Sequence, residues 1–72
     1  MTWTAMAEEY RQGREVLSLH IQELRRQLPL SPPSQQAELR QRILLLYAER
    51  AEMGYALASM EAYVRREREE RL

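Results

Sequence analysis

Cysteine, lysine, aspartate, asparagine and phenylalanine are absent from this 72-residue chain, and glycine occurs only twice. Without cysteine there is neither a disulfide framework nor a thiolate metal site, the two staples that hold many very small domains together. A chain this short buries only a thin core, and small unstapled chains commonly gain stability by associating. Losing Asp and Asn removes the residues that favour caps and turns. What remains is dominated by Arg, Glu, Leu, Gln, Ala and Met, all good helix formers. Lysine is a good helix former too, so its complete replacement by arginine is read as a GC-rich coding bias.

A charge excess of either sign is also missing. The 11 basic residues are all Arg, the 11 acidic residues are all Glu, and the net charge is zero. Such a chain sets up no strong field toward nucleic acid or an anionic membrane. No apolar run approaches the ~20 residues that span a bilayer. The opening Met1-Thr2-Trp3-Thr4 has neither the basic region nor the apolar core of a signal peptide. The expected location is therefore the cytoplasm, with no membrane partner.

What is present is helical periodicity on either side of one breaker. Leu28-Pro29-Leu30-Ser31-Pro32-Pro33-Ser34 holds all three prolines, each of which removes a donor and disfavours helix at the residue before it. The reading is one all-α unit, residues 1–72: a helix over about 3–28, a Pro-rich turn at 29–33 and a helix over about 34–70. Ser31 followed by Pro32, or alternatively Ser34, is the expected N-cap of the second helix. The helices would be about 39 Å and about 55 Å long at 1.5 Å per residue, and a linker this short sets them antiparallel and adjacent.

The first helix carries Trp3, Met6, Tyr10, Gly13, Leu17, His20/Ile21 and Leu24 on one stripe. The second carries Leu39, Ile43, Leu46, Arg50, Met53, Leu57, Met60 and Val64. Both step by three and four, as a coiled-coil seam does. Folded about the turn the stripes mirror each other, Trp3 against Met60 through to Leu24 against Leu39, with paired residue numbers summing to 63. Gly13 then faces Arg50, the stem of Arg50 filling the space a side chain would take. Two readings of this layer stand open. Either Arg50 snorkels to water at the edge of a thin core, or it sets register or partner choice by meeting a carboxylate on another subunit.

The second helix has more apolar surface than one neighbour covers. Leu44, Leu45, Tyr47, Ala51, Gly54, Tyr55 and Ala58 lie outside its seam and form the expected oligomer interface. The predicted assembly is a dimer, two hairpins making a four-helix bundle. Another protein is a second possible occupant of the same surface.

Residues for chemistry are scarce. His20 is the sole histidine and shares a helical turn with Glu23, but a metal site needs three or four protein ligands. The serines have no histidine and acid placed by any recognisable motif, and both glycines fall mid-helix, so no phosphate loop exists. No catalytic, cofactor-binding or metal residue is predicted, and no cofactor. The run Arg65-Arg66-Glu67-Arg68-Glu69-Glu70-Arg71 suggests a nucleic-acid tail, but its four arginines meet three glutamates and its net charge is only +1. Pairs such as Glu61–Arg65 and Glu67–Arg71 stand at helix-stabilising spacing, which favours a solvated helix end.

Ala7-Glu8-Glu9-Tyr10-Arg11, Ile21-Gln22-Glu23-Leu24-Arg25, the Pro-containing turn, Glu38-Leu39-Arg40-Gln41-Arg42-Ile43 and Ala62-Tyr63-Val64 together resemble the small uncharacterised helical-hairpin proteins of bacterial prophages and mobile elements. That resemblance implies a phage-type cytoplasmic protein and brings no catalytic residues with it. The function expected from the sequence is a non-enzymatic protein–protein interaction or assembly module acting as a homo-oligomer through its helical faces. The alternative is a nucleic-acid-associated regulator using Arg65, Arg66, Arg68 and Arg71.

Overall fold

A computed structural model describes residues 2–71; Met1 and Leu72, the two ends of the expected unit, lie outside the described residues. Helix α1 spans Trp3–Gln27, a single 3₁₀ turn follows at Leu28–Leu30, and helix α2 spans Pro33–Glu70. The two helices pack antiparallel into a rod 57 × 15 × 15 Å.

Helix α1 starts where Thr2 adopts an extended backbone and its hydroxyl oxygen accepts the Ala5 N–H at 3.0 Å, a side-chain N-cap. Its first turn contains no acidic residue, and α2 supplies one from across the hairpin. The Glu67 carboxylate accepts the Trp3 N–H, the Thr4 N–H at 3.1 Å and the Thr4 hydroxyl at 2.9 Å. Otherwise unpaired amides and the positive end of the helix dipole are met by one negative charge. At the opposite end Arg25 and Arg26 occupy the last turn, where cations suit the dipole.

Neither serine caps α2. Its N-cap is Pro32, without any side-chain bond, and Pro33 begins the helix. Two adjacent prolines carry no N–H, so part of the demand for a cap is absent. Ser31 serves the preceding helix instead, its hydroxyl donating to the Gln27 carbonyl at 2.9 Å, while the Gln36 amide donates to the Ser31 carbonyl at 3.1 Å. These two bonds tie the turn to both helices.

The core is discontinuous. Ile21, Leu24 and Ile43 are buried near the turn, with Leu28, Leu39, Leu46 and Tyr47 against them. Ala7, Met60 and Val64 are buried toward the open end, with Met6, Tyr10, Ala56 and Leu57 around them. Each large aliphatic buried in this way contributes about 1.5–3 kcal/mol. His20, one of two residues expected at its seam position, is exposed, and its neighbour Ile21 takes the buried place.

Between the clusters lies a layer built from small and polar groups, and it corrects the expected pairing. Gly13 faces Met53, not Arg50: a β-carbon on Gly13 would meet the Met53 Cε at 2.5 Å, and no atom of Arg50 lies within 4 Å of it. Reciprocally, Gly54 of α2 lies beneath the guanidinium of Arg14: a β-carbon on Gly54 would stand 3.2 Å from the Arg14 Cζ. Arg14 Nε donates to the Arg50 carbonyl at 3.2 Å, and Arg50 Nη1 donates to the Ser18 hydroxyl oxygen at 3.0 Å. The Arg50 guanidinium also lies over the Tyr47 ring, 5.0 Å from its centroid, a cation–π contact.

The register shifts with it. Trp3 stacks on Tyr63 with ring centroids 4.5 Å apart, where Met60 was expected. Trp3/Tyr63 and Gly13/Met53 both sum to 66. Helix α2 therefore enters about 4.5 Å higher along the hairpin than mirror symmetry about residue 31 or 32 predicts. The turn explains this. Its 3₁₀ residues rise about 2.0 Å each rather than 1.5 Å, and Ser31 and Pro32 are extended, with ψ of 150° and 147°. The chain climbs further before it reverses.

Candidate interaction surface

Helix α2 presents four of the large apolar side chains that the hairpin leaves uncovered, Tyr63 among them, and Leu30 of the turn is 77% exposed. Leu44 is 67% exposed, Leu45 65% and Tyr55 75%, and Ala51 and Ala58 are exposed with them. Two of the seven expected interface residues, Tyr47 and Gly54, are half-buried against α1. Tyr47 packs on the Ile21/Leu24/Ile43 cluster, and its hydroxyl oxygen accepts from Arg25 Nη1 at 3.1 Å. Gly54 is covered by Arg14. Both sit where the side of α2 turns toward α1, a placement set by the register and by two long arginine side chains from the other helix.

Sequence spacing did not reveal the roles of Ala7, Arg14 and Ser18. Ala7 is 1% exposed, and its small side chain gave no signal beside Met6. Arg14 and Ser18 are half-buried polar residues one turn apart, and an apolar-pattern reading passes over such residues. The one available clue was Gly54, since a glycine inside a helix often marks a close approach.

On α1 the neighbouring side chains Val16 and Leu19, one turn apart, are also exposed, at 65% and 60%, a patch of two residues. Exposed apolar residues in ones and twos are ordinary on a protein surface. A groove of about 440 Å³ runs beside Leu44, walled by Leu28, Ile43 and Tyr47 and flanked by Arg25 and Arg40.

The four arginines at the end of α2 do not share one face. Arg65 pairs with Glu61 at 3.1 Å, as its spacing predicted. Arg65 and Arg68 line a groove of about 390 Å³ with Arg11, and Glu61 lies among them. Arg66 turns elsewhere, its guanidinium 5.9 Å from the Tyr63 ring centroid. Arg71 acts on Glu67 through its charge.

Two carboxylates titrate low. The Glu23 carboxyl is lowered to about 2, chiefly by its hydrogen bonds from Arg26 and then from Gln27. At Glu67 desolvation is the largest influence and acts upward. The bonds from the Trp3 and Thr4 amides and the Thr4 hydroxyl, with the charge of Arg71, outweigh it and hold the carboxyl below its ordinary range. Both carboxylates are taken up by hydrogen bonds within the hairpin. Among the described residues, no three His, Cys, Asp or Glu side chains gather as metal ligands would, and no helix is long and apolar enough to cross a membrane.

Comparison with known proteins finds no family model, no curated relative and no solved structure that matches this chain.

Proposed function

We propose that the protein is a non-enzymatic assembly module whose working form is a homo-oligomer joined through α2. The observation that carries this reading is surplus surface. A compact globular chain of this mass exposes about 4,700 Å², whereas this hairpin exposes 5750 Å². Its radius of gyration is 16.7 Å, against about 11 Å for a compact chain of this length. The surplus of about 1,000 Å² compares with the ~800 Å² per partner of a standard specific interface. Leu44 and Tyr55 of α2 are large apolar side chains exposed at 67% and 75%, and covering each would contribute about 1.5–3 kcal/mol.

Sedimentation velocity of the full chain at micromolar concentration tests the proposal. A dimer or higher species with full helicity is expected. A well-folded chain that stays monomeric across that range would overturn it.

A further inference from the structure

We propose that the occupant of the exposed α2 face is the α2 of a second copy, laid antiparallel across a two-fold axis between Ala48 and Ala51. The inference rests on the homo-oligomer reading above and specifies its interface.

The seam that α2 shows to α1 runs through Leu39, Ile43, Leu46, Arg50, Met53 and on to Val64 in steps of four and three. Moving back two residues from each seam position gives 37, 41, 44, 48, 51, 55, 58 and 62. Two residues are about 200° of helix rotation, so this second stripe lies about 160° round from α1 along its whole length. The outward stripe of a helix packed on one side is ordinarily its most polar. Here seven of the eight positions are apolar, Gln41 being the exception, and all eight are exposed. The pattern is not a run of small residues alone, since Leu44 and Tyr55 are large and among the most exposed apolar residues of the chain.

The order of residues names the partner. Steps of 4, 3, 4, 3, 4, 3 and 4 read the same in both directions about a centre at 49.5. Reversal places Ala48 on Ala51, Leu44 on Tyr55, Gln41 on Ala58 and Ala37 on Ala62. Small meets small at the centre and at the ends, and the two large side chains meet each other. A surface that matches its own reverse is what a two-fold interface requires. Alanines at the centre let the helix axes approach to the short end of the usual 8–10 Å. The surplus area calculated above is of the size such a contact consumes.

This geometry gives the four-helix assembly expected from sequence a specific arrangement. Because the second stripe is nearly opposite the seam, each α1 stays on the outside. The four helices then lie in the order α1, α2, α2, α1 across one layer. Leu45, Tyr47 and Gly54 fall outside the contact; Leu44, Ala51, Tyr55 and Ala58 fall within it.

The test mixes two singly substituted full-length chains, Ala37→Cys and Ala62→Cys, under mild oxidation. Facing positions in the proposed dimer bring these β-carbons together, whereas like positions stand about 37 Å apart along the axis. The mixture is expected to give a disulfide-linked dimer, and either chain alone little or none. Ala51→Arg, at the axis and away from α1, is expected to weaken dimerisation roughly tenfold or more while leaving helicity intact. A dimer that forms but does not link 37 to 62, or that tolerates Ala51→Arg, overturns this interface and leaves the homo-oligomer reading standing. A folded monomer overturns both.

Discussion

Gly13 and Gly54 each lie beneath a long side chain from the opposite helix, Met53 over the first and Arg14 over the second. A glycine inside a helix costs about 1 kcal/mol against alanine, so these slots offset a propensity penalty with a cross-helix contact. Gly13→Leu is expected to destabilise by about 1–3 kcal/mol through overcrowding. Met53→Ala should recover much of that loss, and Arg50→Ala should not; urea unfolding of the double-mutant cycle measures the difference. Gly54→Ala has the opposite expected sign. Only the mobile guanidinium of Arg14 has to move, so the gain in helix propensity, up to about 1 kcal/mol, prevails and the urea midpoint rises. Glycine in these helices was visible in the sequence. Which side chain fills each slot was not, because that depends on the height at which the second helix enters.

Glu67 works at the same scale. Its carboxyl is held below the ordinary range, so it contributes stability at pH above the unfolded value of about 4.3. That contribution disappears as pH falls through its lower folded value. Trp3 is the sole tryptophan and stacks on Tyr63 one turn from Glu67, which makes its fluorescence a local report. An emission change is expected as pH falls below about 4.3, with a much smaller change in Glu67→Gln. An identical titration in that variant would place the acid response elsewhere.

At the scale of elements, the prolines, the 3₁₀ turn and the register form one chain of cause. Pro29 lies within Leu28–Leu30, and Pro32 and Pro33 stand at the start of α2. Between the helices the backbone winds more steeply and then extends, raising α2 by just under one turn. Gly13→Cys with Met53→Cys should therefore form an intrachain disulfide faster than Gly13→Cys with Arg50→Cys. The reverse order of rates would restore the register that mirror symmetry predicts. Helix α2, with 38 residues against the 25 of α1, reaches past the start of its partner. Glu67 consequently stands level with Trp3 and Thr4, where it can complete the first turn of α1. Its i,i+4 spacing to Arg71 was legible in the sequence, but a negative helix-capping role across the hairpin depends on this overhang.

For the whole molecule, shape matters more than any single contact. A rod 57 Å long and 15 Å across keeps no position far from water, and its buried residues separate into two small clusters. A second copy along the exposed face of α2 would give that helix a neighbour on both sides. Association and folding are then linked, and the melting temperature of an associating chain depends on its concentration. Thermal unfolding followed by circular dichroism should move upward as total chain is raised from about one to about a hundred micromolar. A melting temperature independent of concentration would mean that assembly contributes nothing to stability.

The sequence by itself determined the two helices, the place of the reversal and the residues of α2 that face α1. Those are local matters: prolines lack donors and restrict the preceding residue, and a periodicity of three and four selects one face of a helix. The tertiary structure decided the register, the partners of Gly13 and Gly54, the partial burial of Tyr47 against α1 and the engagement of Glu67 by the start of α1. Each of these depends on how far the turn carries the chain before it reverses. A few ångströms of rise in three residues change which side chains meet at Trp3, Gly13 and Gly54, and no periodic pattern in either helix records that distance.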